Sequence, residues 1–122
     1  MVNNCIFCTF SADEEIVFQS ETFVFLKNKY PIVPYHLLLV VRRHVREERL
    51  FNESEINGFF TGSNRAYDYM KKLTDNKPLT FVNPPQMQSV QHYHRHYVDG
   101  VFGIHGVADA LKHFYQQMGK VT

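Results

Sequence analysis

Tryptophan is absent from the 122 residues, and cysteine occurs only twice. Cys5 and Cys8 stand too close together to clip a long loop, so a disulfide framework is not what stabilises this chain. An excess of one charge is missing as well. Thirteen basic residues against twelve acidic leave a formal charge of +1, which argues against a nucleic-acid binder working by bulk charge. No apolar run approaches the roughly 20 residues of a membrane-spanning helix. The longest candidate, residues 32–41, is interrupted by Pro34 and His36. The first residues, Met1 to Asn4, lack the basic start and apolar run of a secretory signal, so a cytoplasmic protein is expected.

The material present suffices for one core. Hydrophobic residues make up 44% and aromatics 15%, with 11 Phe and 7 Tyr. Histidine is the unusual surplus. There are seven, and five of them fall in two short stretches, His36 with His44 and His92 with His94 and His96.

No repeat, low-complexity tract or linker divides the chain. Residues 16–19 and 22–28, rich in Phe and Val, read as strands joined by a tight Ser20-Glu21 hairpin. Pro31 to Pro34 must be extended, and residues 36–41 follow as a buried strand. Asn52 with Glu55 three positions on has the form of a capping box. Ile56, Phe59, Phe60, Tyr67, Met70 and Leu73 then recur at helical spacing and predict one long amphipathic helix over 53–74. Strands are expected at 78–83 and 92–98. Val107, Leu111, Phe114 and Met118 mark a terminal helix closed by Gly119. The expected fold class is α+β, an antiparallel sheet of about five strands with one long helix and an extra C-terminal helix.

The most informative run is Gln88-Ser89-Val90-Gln91-His92-Tyr93-His94-Arg95-His96-Tyr97-Val98. A strand turns alternate side chains to one face, so the three imidazoles would align. They are poor core filler, because each carries a donor and an acceptor that need partners. Neighbours two apart on a strand stand roughly 6.6 Å apart, too far for all three to converge on one small ion. Division of labour remains, with one imidazole attacking while others orient it or hold a phosphate.

This run resembles the motif of the histidine-triad (HIT) family of nucleotide hydrolases and transferases, H-x-H-x-H preceded by Gln and Ser or Thr. The likeness extends to residues 27–40, K-N-K-Y-P-I-V-P-Y-H-L-L-L-V, and to C-I-F-C at residues 5–8, in family order up to about Gly100. The resemblance implies the small Hint/Fhit-like hydrolase branch, with a domain over residues 1–100 and a helical extension, 101–122, packed on it. By position, His94 would attack the α-phosphorus of a nucleotide conjugate and form a nucleotidyl-histidine. His96 would bind phosphate or protonate the leaving group, and His36 would support both. Asn83 and Ser89 would bond phosphate oxygens, Asn28 the ribose, and Ile6, Phe7 and Leu26 would sandwich a purine base. A homodimer through the long helix and a sheet edge is implied as well. The alternative is a nucleotide-binding regulatory or zinc-stabilised interaction module with little turnover.

The Cys5-x-x-Cys8 pair could be redox-active, metal-binding or simply two buried thiols. Zinc needs two more ligands, and the sequence supplies His44 and His92. Some bacterial members resemble this pattern and hold structural zinc with the corresponding four residues. Three departures from the family pattern stand out. Arg95 occupies a spacer that is usually apolar, and is expected to meet a carboxylate such as Asp99 or one on the long helix. The loop Pro84 to Met87 lacks the usual glycine, and the segment after Gly100, with His105 and His113, does not resemble the usual ending.

Overall fold

The structure, a computed structural model, describes residues 5–103 and 106–119. His105 therefore lies outside the described residues. Five strands form one antiparallel sheet in the order β1-β2-β3-β5-β4: β1 Ile16–Gln19, β2 Phe23–Lys27, β3 Leu37–Val41, β4 Leu79–Phe81 and β5 His94–Val98. Ser20 closes the first hairpin, where its N–H donates to the Phe23 carbonyl at 2.8 Å and its hydroxyl accepts from the Phe23 N–H at 3.1 Å.

The long helix α1, Glu53–Thr74, lies between β3 and β4 in sequence and has the limits that its spacing predicts. Asn52 and Glu55 cap it reciprocally: the Glu55 N–H donates to the Asn52 side chain and the Asn52 N–H to the Glu55 carboxylate, each at 2.9 Å. Glu55 also takes two hydrogen bonds from Arg43, at 2.7 and 3.0 Å, which ties the start of the helix to the end of β3. Gly58 permits the close approach of α1 to the sheet, since a Cβ there would run into the Thr22 hydroxyl.

Alternation divides the sheet cleanly. Phe23, Phe25, Leu37, Leu39, Val41, Tyr93 and Tyr97 face α1 and pack with Ala66 and Met70. Val24, Leu26, Leu38 and Val40 face the other way and pack with Phe7. Each face therefore buries its own cluster, and the helix-free face also carries His94 and His96.

The last strand begins two residues later than its alternation suggests. The His92 N–H turns back to the Val90 carbonyl at 2.8 Å, and the Tyr93 N–H donates to the Val45 carbonyl, so neither joins the ladder. Among the described residues Arg95 meets no carboxylate. Its Nη2 donates to the Thr80 hydroxyl at 3.1 Å and its guanidinium sits 5.8 Å from the Phe59 ring centre, while Asp99 accepts from Asn76 and from the Val101 N–H. The glycine-free loop needs no left-handed residue, because Pro85–Met87 forms a 3-10 turn. The terminal helix α2, Val107–Gln117, ends with Gly119 at φ 71°. Its Leu111, Phe114 and Tyr115 are exposed among the described residues. No helix among the described residues is long and apolar enough to cross a membrane.

Candidate active site and metal centre

Strand register builds the floor of the site. Leu26 pairs with Leu38, Leu38 with His96 and His96 with Phe81, so one row crosses β2, β3, β5 and β4 on the helix-free face. In the next row Val24 pairs with Val40 and Val40 with His94. Above this floor opens a cavity of about 310 Å³. Its wall brings together His36, His94 and His96 with Asn28, Asn83, Ser89, Ile6, Phe7 and Leu26. Those are the nine residues that the motif comparison assigns to catalysis and nucleotide binding.

The hydrogen bonds fix complementary tautomers on the three imidazoles. His94 donates through Nδ1 to the His92 carbonyl at 2.7 Å, which leaves the lone pair on Nε2. His36 accepts the Ile32 N–H at Nδ1 (3.2 Å), so its Nε2–H donates to His96 Nδ1 at 2.8 Å. The proton of His96 must then sit on Nε2, a buried atom with no protein partner. The cavity thus holds a nucleophilic lone pair and a free N–H on neighbouring rings, whose centres are 5.0 Å apart.

Burial is the main reason all three rings stay neutral at pH 7. It lowers the pKa of His94, and that of His36 with help from His94. His96 is pushed down to about 4 by burial, then by His94 and His36. Asn28 has a local task as well, since its side-chain oxygen accepts the Tyr30 N–H at 3.0 Å and holds the turn after β2.

Sequence reasoning missed Phe81, Tyr30 and Ile32, which also line the cavity. Phe81 stacks on His96 with ring centres 4.4 Å apart and planes 6° from parallel. Its position opposite His96 on an edge strand is the signal, legible only once the register is known.

Beside the cavity, Cys5, Cys8, His44 and His92 bring one ligand atom each to within 4.8 Å of the others. Cys8 Sγ lies 3.2 Å from His44 Nδ1, Cys5 Sγ 3.3 Å from His92 Nδ1, and the two Nδ1 atoms are 3.2 Å apart. A tetrahedron with bonds of about 2.3 Å to sulfur and 2.0–2.1 Å to nitrogen has edges of roughly 3.3–3.8 Å, so the set closes around one ion. His92 donates Nε2–H to the Val41 carbonyl at 2.5 Å, which directs its Nδ1 lone pair at the sulfurs. Burial and the neighbouring Cys5 push the Cys8 thiol up to about 11, a barrier that a bound cation removes. These four residues fit a structural Cys2His2 zinc site. Phe7, between the two cysteines, packs against His94 with ring centres 5.1 Å apart, so the same short segment forms metal knuckle and cavity wall.

The sheet order, the helix-free face and its three histidines define an open-sheet α+β domain with a triad cavity. The HIT domain model matches residues 9–102, and the chain belongs to the HIT family. Solved structures agree on the fold. A HIT family hydrolase from Clostridium thermocellum is 22% identical, covering 82% of this chain and 93% of its own, with a TM-score of 0.69. A Zn-bound histidine triad family protein from Mycobacterium smegmatis is 19% identical over 80% of this chain and 75% of its own (TM-score 0.68). Plasmodium falciparum diadenosine triphosphate hydrolase, in complex with Cyclomarin A, is 16% identical over 73% of this chain and 70% of its own (TM-score 0.64). No curated protein matches the chain significantly.

Proposed function

We propose that this chain is a nucleotide hydrolase or transferase that acts at the α-phosphate of a nucleotide conjugate, a phosphoramidate, an adenylate or a dinucleoside polyphosphate. The observation that carries the reading is the pairing of tautomers, a free lone pair on His94 Nε2 beside a free N–H on His96 Nε2 in one cavity. Family membership supports it.

In the first step His94 Nε2 bonds to phosphorus and the bond to the leaving group breaks. The His92 carbonyl holds His94 Nδ1–H and steadies the positive charge that develops on the ring. An incoming phosphate raises the proton affinity of His96, whose imidazolium then protonates the departing atom. In the second step water attacks phosphorus, gives a proton back to His96 and releases His94 with a nucleoside monophosphate. Asn83 and Ser89 would bond phosphate oxygens and Ile6, Phe7 and Leu26 would flank a purine, a reading supported by their lining one cavity. The metal is zinc and structural, since four protein donors leave no open position for substrate. The assembly is a homodimer in this reading, which the exposed Ile56 and Phe60 of α1 and the free edge of β4 support.

His94→Ala tests the reading. Release of nucleoside monophosphate should fall by at least about 10³-fold while AMP affinity changes little. Wild-type protein that binds AMP yet releases none from any conjugate class would favour the regulatory alternative.

A further inference from the structure

A second cavity shares the loop after β4 with the triad cavity, since Asn83 lines both. Its volume of about 290 Å³ lies at the small end of ligand pockets and suits a molecule smaller than a nucleotide. Tyr93, from the sheet face under α1, is part of its wall, and Val82, Pro84 and Pro85 add apolar surface.

Two buried donors in this wall lack partners. Tyr93 is fully buried and its ring packs edge-on against Phe51, with centres 5.0 Å apart, yet its hydroxyl has no hydrogen-bond partner. Burial and then the Glu48 carboxylate push this phenol up to about 12, against the pull of Arg95, so it stays a protonated donor at neutral pH. Arg46 gives Nη2 to the Pro85 carbonyl at 2.8 Å, while its buried Nε has no partner. Buried donors are rarely left without acceptors, and two on one cavity wall call for an acceptor from outside the chain.

Charge narrows the class of that acceptor. Arg46, Glu47, Glu48 and Arg49 all line the cavity. Arg49 pairs with Glu47 at 3.2 Å, whereas Arg46 and Glu48 have no ion-pair partner among the described residues. The free guanidinium beside the phenol suits a carboxylate, and the free carboxylate of Glu48 suits an ammonium. A phosphate dianion would meet two glutamates with a single uncompensated cation.

We infer that this second cavity binds a zwitterionic aliphatic α-amino acid, its carboxylate on Arg46 and Tyr93, its ammonium on Glu48 and its side chain against Val82, Pro84 and Pro85. Binding there needs no turnover at the triad cavity and stands apart from the hydrolase reading.

Calorimetric titration of the whole chain in excess AMP compares four probes. They are L-leucine, 4-methylpentanoate, which lacks the ammonium, 3-methylbutylamine, which lacks the carboxylate, and inorganic phosphate. Leucine should bind at least about tenfold tighter than the other three. Tyr93→Phe removes only the hydroxyl and should weaken leucine about tenfold. Glu48→Gln, at an exposed position, should bring leucine down to the level of 4-methylpentanoate. No leucine binding at about 10 mM, equal affinity for 4-methylpentanoate or phosphate, or unchanged affinity in Tyr93→Phe would overturn the proposal. Leucine binding that AMP abolishes would overturn it too, because the amino acid would then occupy the triad cavity.

Discussion

His92 is engaged at three points. Its Nδ1 joins the cysteines, its Nε2–H is held by Val41, and its carbonyl fixes the tautomer of His94. The first histidine of the triad is thus structural in two senses, which leaves His94 with His96 as the proposed reacting pair. The alternation H-x-H-x-H shows the shared face but cannot assign these jobs, because each depends on a backbone carbonyl or a cysteine distant in sequence. Acidity follows from the same burial. The pKa values of His36 and His96 are depressed, so both rings are neutral above pH 6.5 and only take up protons below it, His96 at about 4. Burial lowers the pKa of His94 as well, so the ring that must attack as a free base takes up its proton only below 6.5, and the acid limb of kcat/KM should lie there. A plot of kcat/KM from pH 4 to 9 checks this, and a limb centred at 7 or higher would contradict the assigned environment.

Among the elements, α1 was legible from sequence to its last residue, because spacing and the Asn52–Glu55 box both act locally. Asn52→Ala should cost about 1 kcal/mol of stability, measured by urea unfolding, since it orphans the Glu55 N–H. The start of β5 was not legible: its limits come from the Val45 carbonyl, 48 residues earlier, capturing the Tyr93 N–H. The residues of the cavity were readable one by one from the family motif, while Phe81, Tyr30 and Ile32 depended on register and loop path. The Cys5–Cys8 knuckle is the element whose role the structure sharpens most. It carries Ile6 and Phe7 into the cavity wall, so removing the metal should loosen that wall. Tag-free protein should contain about one zinc per chain by elemental analysis. After chelation AMP affinity should drop at least several-fold, and zinc should restore it; unchanged affinity in the stripped protein would separate the metal from the pocket.

Across the whole molecule, the sheet keeps two kinds of surface apart. The face under α1 is apolar, and the opposite face holds buried neutral imidazoles at the edge of a smaller cluster. Such groups link stability to pH with a definite sign. An imidazole whose folded pKa lies below its unfolded value stabilises the fold above pH 6.5, and that contribution is lost as pH falls toward the folded value. With His96 at about 4, the window runs from 6.5 down to about 4. Tm should decline through that interval, and a flat profile there would mean that the rings are solvated. Near-neutral overall charge fits the proposed recognition of phosphate by a few local donors.

The central claim is that His94 forms a covalent bond to phosphorus. It is tested most directly by rapid quench of wild-type protein with a nucleotide conjugate into base, which preserves phosphoramidate bonds, followed by mass analysis of the peptide carrying His94. A nucleotidyl increment is expected on that peptide, placed on His94 and absent from His94→Ala. Rapid turnover with no increment on any peptide, or an increment on His96, would contradict it.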